Sequence, residues 1–153
     1  MFRSLDISGS ALSAQRLRMD LISGNIANAN TTRAKVENGE AIPYSRKLAV
    51  FQPTQKQSFQ TSLKNAMSAH AGGGVKVSRI IEDKTPWKLV YDPEHPDAIK
   101  DVNSPQYGYV RMPNVDIATE MVDLISATRS YEANVTALNA YKAMAMKALE
   151  IGR

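Results

Sequence analysis

The chain contains no cysteine. That excludes disulfides, thiolate metal sites and cysteine nucleophiles together. Aromatic residues are few, with one Trp, three Phe and six Tyr, and there are only two histidines, His70 and His95, far apart and in no metal-binding spacing. No run approaches the roughly 18 apolar residues of a membrane span. The N-terminus has no secretory apolar core either, because Asp6, Gln15, Arg16, Arg18 and Asp20 interrupt its Leu, Ile and Ala residues. A non-cleaved export route stays open. Charge of one sign is also scarce. The net charge of +4 is spread singly, with only Arg46 and Lys47 adjacent. A nucleic-acid binder gathers its base on one face or in a run, so no nucleic-acid partner is expected.

What the 153 residues do contain is two long amphipathic stretches, one at each end. Near the N-terminus Leu5, Leu12, Met19 and Ile26 recur every seventh residue. Near the C-terminus one row holds Ile117, Leu124, Tyr131, Leu138 and Ala145, and a second holds Met121, Thr128, Val135 and Leu149, broken by Lys142. A seven-residue apolar repeat keeps one side of an α-helix against a partner helix. The first helix is expected over residues 4–28, capped by Ser4, and at 1.5 Å per residue spans roughly 40 Å. Its far end, with Ser23, Gly24, Asn25, Asn28 and Asn30, is poor in helix formers. Two readings stand there. Small residues and short amides admit a close, hydrogen-bonded neighbour, or the helix simply ends. The second helix is expected over 116–151, about 54 Å long. Pro113 precedes it, Asp116 caps it, Glu120 and Asp123 lie near its positive end, and Gly152 closes it.

Between the helices the pattern changes to a period of two. Ile42, Tyr44, Leu48 and Val50 predict a strand over 42–51. Val75, Val77 and Ile81 predict a second, Trp87, Leu89 and Tyr91 a third, and 107–112 a short last one. A polar stretch, 52–71, ends in a triple glycine that lacks the Lys-Ser/Thr of a phosphate loop. A short helix over 58–69 is expected inside it. The fold class is therefore mainly α with a small β-rich middle (α+β), the long terminal helices pairing as a coiled-coil-like hairpin. Residues 1–32 and 114–153 would form an inner core domain and residues 33–113 a central β-rich region.

Both helices carry apolar residues off their main seams: Leu17 and Leu21 in the first, Val122, Ile125, Met144, Ala148 and Ile151 in the second. One intramolecular partner cannot cover all these faces, and an uncovered stripe of that size aggregates. Other subunits are the expected cover. The candidate assembly positions are Leu5, Leu12, Met19, Ile22, Asn25, Ile26, Asn28, Ile117, Met121, Leu124, Ile125, Tyr131, Val135, Leu138 and Leu149. Chemistry has no comparable signal. The loop from Asp92 to Asp97 gathers three carboxylates and His95 between two prolines, a set that more often makes a rigid turn with local side-chain bonds than a metal site. Glu37 and Glu40 are a pair common on surfaces. No catalytic residue, metal or cofactor is expected.

Particular segments do resemble a family. LISGNIANANTT (21–32), following an amphipathic N-terminal helix, is similar to the signature of bacterial flagellar rod and hook proteins. PNVDIATEMVDLISATRSYEANV (113–135) resembles their C-terminal helix, and VYDPEHPD (90–97) with GYVRMPNV (108–115) resembles the proximal-rod members. Residues 99–107 read longer than the family's equivalent connection. The resemblance implies a structural subunit of the basal-body rod, located in the periplasmic space. Such subunits leave the cell through the flagellar type III export apparatus without a cleaved signal, and stack helically into a drive shaft around the export channel. It implies as partners copies of the chain itself, other rod subunits and the adaptor at the rod base. The rival reading from another class is a soluble helical adaptor or export chaperone. A wall-cutting enzyme is a further rival, for which no general acid announces itself.

Overall fold

The computed structural model describes residues 2–37, 40–54, 73–101 and 104–151. The helix expected over 58–69 and His70 lie outside the described residues. In chain order the elements are α1 (Phe2–Ala27), β1 (Lys35–Glu37), β2 (Glu40–Ile42), β3 (Lys47–Pro53), β4 (Val75–Glu82), β5 (Lys88–Tyr91), β6 (Tyr109–Met112) and α2 (Ile117–Ile151). The expected α+β class holds: two long helices, one at each end, with short strand pairs between them. α1 starts two residues before Ser4, so Ser4 lies inside the helix rather than capping it. Asp116 caps α2 as expected. Its carboxylate accepts from the Ala118 N–H at 3.3 Å and the Thr119 hydroxyl at 2.8 Å, and these bonds hold its pKa below the ordinary carboxylate value, the Thr119 bond most.

Among the described residues the middle forms three two-stranded sheets, β1–β2, β3–β4 and β5–β6. β1 and β2 run antiparallel with Val36 opposite Ala41; β5 and β6 run antiparallel with Val90 opposite Val110. The strand expected over 42–51 begins only at Lys47. Pro43 has no N–H for a ladder. The next residues turn their backbone elsewhere: the Tyr44 N–H donates to the Thr31 carbonyl at 3.1 Å and the Arg46 N–H to the Asn114 side chain at 2.8 Å. At the entry to β6, Gly108 adopts φ 77°, and a Cβ there would stand 3.0 Å from the Tyr91 ring. Only glycine takes that conformation without cost. The close approach lets Tyr91 meet Tyr109 edge to face, ring centres 5.2 Å apart.

The chain divides into two compact units. One comprises Met1–Met19, Ala49–Arg79 and Ile125–Arg153. Its buried residues among those described are small: Ser8, Ala14 and Ala127. Small side chains bring the helical stretches of this unit close, and the Thr128 hydroxyl reaches the Met19 sulfur at 3.6 Å. The other unit comprises Asp20–Leu48 and Ile80–Leu124. It buries Ile22, Asn25, Pro43, Ala98, Val110, Pro113, Val115 and Glu120. Its largest fully buried side chain is thus a carboxylate, which has to be satisfied by partners.

Candidate functional site

Those partners form a polar cluster inside the second unit. Asn25, near the end of α1, uses its whole amide. Its Nδ2 donates to Glu120 Oε2 at 3.0 Å and to the Lys47 carbonyl at 3.0 Å. Its Oδ1 accepts from the Lys47 N–H at 2.9 Å and the Tyr44 hydroxyl at 3.0 Å. Two donors and two lone pairs are all an asparagine side chain has. Glu120, on the first turn of α2, receives Arg46 Nε at 2.5 Å on its other oxygen, and the same guanidinium reaches Asp123 at 3.2 Å. Asn114 extends the cluster. It accepts the Arg46 N–H and donates to the carbonyls of Asp83 and Thr85 at 3.3 and 3.1 Å. Burial pushes the Tyr44 hydroxyl pKa up, and the negative charges of Glu120 and Glu82 add to it. Tyr44 therefore stays protonated and remains a donor.

The first reading of the end of α1, a close hydrogen-bonded neighbour, describes Asn25. The second, helix termination, describes Asn28, whose backbone N–H and side-chain Nδ2 both donate to the Gly24 carbonyl, at 3.2 and 2.9 Å. Arg46 and Asn114 carried no expectation as site residues, and Tyr44 was expected only on the apolar side of a strand. Arg46 had one faint mark, as half of the sole adjacent basic pair. Glu120 had a clearer one. It stands in the first turn of α2, near the positive end of the helix dipole.

A second, shallower cluster belongs to the loop after β5. Asp97 accepts from the Thr32 hydroxyl at 2.8 Å and from Arg33, through Nε at 3.0 Å and through its terminal nitrogen. Thr32 first and Arg33 next hold its pKa below the ordinary carboxylate range. The Asp97 N–H donates to His95 Nδ1 at 3.1 Å. Asp92 and Glu94 are exposed. Local bonds such as that to His95 shape the turn, the Asp97 carboxylate ties it to the distant Thr32 and Arg33, and no group of three metal-ligating side chains gathers among the described residues. Because the folded-state pKa of Asp97 is depressed, its bonds stabilise the chain above about pH 3.9 and that contribution disappears as pH falls through the lower folded value. Asp97→Asn is accordingly expected to lower the denaturation midpoint at pH 7, with a deficit that shrinks as the pH is lowered below about 3.9. A deficit unchanged by pH would contradict this.

The candidate assembly residues divide by exposure. In α1, Leu5, Leu12, Met19 and Ile26 are half-buried, as is Asn28 just past its end, and Ile22 and Asn25 are buried, while Asp6, Ser13, Asp20 and Ala27, each one residue past a seam position, are exposed. In α2 the least exposed row is Glu120, Leu124, Ala127, Tyr131, Asn134, Leu138, Tyr141 and Ala145, alternating steps of four and three. It contains the first row read from sequence after Ile117. The second inward row lies one residue earlier than the sequence suggested. Thr128 and Val135 flank it half-buried, and Met121 and Leu149 are exposed. One residue is about 100° of helix rotation, and Ala127 and Asn134 give no hydrophobic signal to compete with Met121 and Val135. Ile117, Met121 and Ile125, spaced by four, share one face of α2, with Val122 beside them, at 44%, 53%, 60% and 68% exposure. Met144, Met146 and Leu149 are exposed farther along.

Both helices fall in segments shared with known proteins. Residues 5–35 match the family described as "Flagella basal body rod protein", and residues 106–151 the family described as "Flagellar basal body rod FlgEFG protein C-terminal". The similarity extends over nearly the whole chain to the flagellar basal-body rod protein FlgC of Bacillus subtilis, at 56% identity covering 99% of this chain and 98% of the relative. The chain belongs to the FlgC family of flagellar basal-body rod proteins. FlgC of Borreliella burgdorferi is 42% identical over 99% of this chain and 97% of its own length. FlgC of Salmonella typhimurium is 43% identical over 97% and 95%. Membership makes the chain a structural component of the flagellar basal body and not an enzyme.

Proposed function

We propose that the chain is a subunit of the proximal rod, which stacks with copies of itself and with other rod subunits into a helical drive shaft around the export channel. In this reading residues 1–32 and 114–153 form the inner core, their helices pairing as a coiled-coil-like hairpin, and residues 33–113 lie outside. The observation that carries the proposal is the exposed apolar face of α2, Ile117, Met121, Val122 and Ile125, in a chain related along its length to rod proteins. A surface of this kind calls for cover by neighbours. The seam of steps of four and three in α2, and the contacts Met19–Thr128 and Asn25–Glu120, support the helix pairing. Head-to-tail contacts of one copy on the next extend into a filament when the rotation does not close. The remaining neighbours are the adaptor at the rod base and the distal rod subunits. The route out is the type III export apparatus, into the periplasmic space, without a cleaved signal.

Sedimentation velocity of the purified chain at rising concentration tests the proposal. The expected result is continued growth of the sedimenting species without a plateau. A plateau at monomer or dimer, even at the highest concentrations, would favour the adaptor or chaperone reading instead.

A further inference from the structure

We infer that Asn25, Arg46 and Glu120 form a register pin: positioning residues that select one stagger of α1 against the first turns of α2, at the expense of stability. The need for a pin follows from the seams. Rows that repeat every seven residues resemble themselves after a slip of one heptad, so apolar packing discriminates weakly between staggers. The row of α2 repeats Leu124, Tyr131 and Leu138 every seven residues, so a slip of one heptad exchanges large side chains for large side chains.

The cluster discriminates sharply where packing does not. All four hydrogen-bonding positions of the Asn25 amide are filled, three of them by Tyr44 and the Lys47 backbone and one by Glu120. A slip of one helical turn, about 5.4 Å, parts Asn25 from Glu120 altogether. Glu120 has 1% exposure, so water cannot replace the lost donor. A buried polar network is satisfied in one arrangement and costly in every other, and for the same reason it contributes less net stability than apolar packing of equal volume. The inference concerns the fold of the single chain and stands whether or not the rod proposal does.

The experiment is a distance measurement on the full-length chain. With no native cysteine, Ser23→Cys and Val122→Cys give unique spin-label sites, both exposed and both in the same unit. The label pair is read by double electron–electron resonance in the parent background and in Arg46→Met/Glu120→Leu, which keeps Asn25 for the Tyr44 hydroxyl and the Lys47 backbone. The parent is expected to give one narrow distance population. The double variant is expected to keep its helical content and melt at the same or a higher temperature. It should also show a second population displaced by one or two helical turns, about 5–11 Å. A single narrow population in the double variant would overturn the inference, because packing alone would then set the stagger. Unfolding of the double variant would overturn it too, because the cluster would then be a source of stability rather than of register.

Discussion

Arg46→Ala is expected to lower the unfolding free energy by about 3–5 kcal/mol, the cost of leaving a buried charge without its partner. Glu120 is 1% exposed and its Oε1 has Arg46 Nε at 2.5 Å. With Arg46 gone, that oxygen loses its donor while Asn25 still occupies the other. The arginine side chain also fastens Asp123 at 3.2 Å, whereas its backbone bonds with Asn114 and Asp83 persist in the alanine variant. Against a total stability of about 5–15 kcal/mol, a loss of that size brings the chain close to unfolding. Glu150→Ala provides the contrast. Its pair with Lys147 is 2.7 Å long, yet both side chains are mostly exposed, at 61% and 77%. Screened pairs of this kind contribute about 0–1 kcal/mol. Urea denaturation followed by circular dichroism compares the two variants on one scale. A deficit below about 1 kcal/mol for Arg46→Ala would mean that water reaches Glu120, contrary to its burial.

The two helices were legible because their signals are periodic and local. The seven-residue rows set α1 and α2, and Asp116 marked the start of α2 through an oxygen that caps its first turn. The strands β4, β5 and β6 were legible from alternating Val, Ile, Leu and Tyr. The β1–β2 hairpin was not, because Lys35, Val36 and Glu37 are all exposed and no alternation separates one face from another. The break at Pro43–Arg46 was hidden for a different reason. The backbone there bonds to Thr31 and Asn114, residues 13 and 68 positions away (44 − 31 and 114 − 46), which no local pattern encodes. The polar cluster combines both difficulties. Asn25, Arg46, Asn114 and Glu120 lie far apart along the chain or on different elements, and although Asn25 was open to a hydrogen-bonded neighbour and Glu120 to the helix dipole, neither signal names the other partners. Only burial, which depends on the whole fold, turns them into one network.

Ile125→Asp is expected to leave the single chain folded and to raise the concentration needed for assembly by about 100-fold or more. Ile125 is 60% exposed, so the substitution touches little inside the chain, and exposed changes of this kind usually alter stability by less than about 0.5 kcal/mol. In an assembly that covers the face, the same position loses about 1.5–3 kcal/mol of apolar burial. It must also strip water from a carboxylate, which adds further cost. Each 1.4 kcal/mol is a factor of about 10 in affinity, and a stacked subunit meets the penalty in every copy. Leu138→Asp makes a less selective experiment. Leu138 is half-buried on the inward row, so its replacement weakens the chain before any neighbour is involved. The two variants therefore separate stability from assembly: Leu138→Asp should lower the melting temperature and abolish assembly, Ile125→Asp only the latter. The readouts are thermal denaturation of the dilute chain, sedimentation at rising concentration, and motility of cells carrying each variant as their sole copy. Normal motility with Ile125→Asp would show that this face of α2 stays in water in the rod, and the role assigned to its apolar residues would fall.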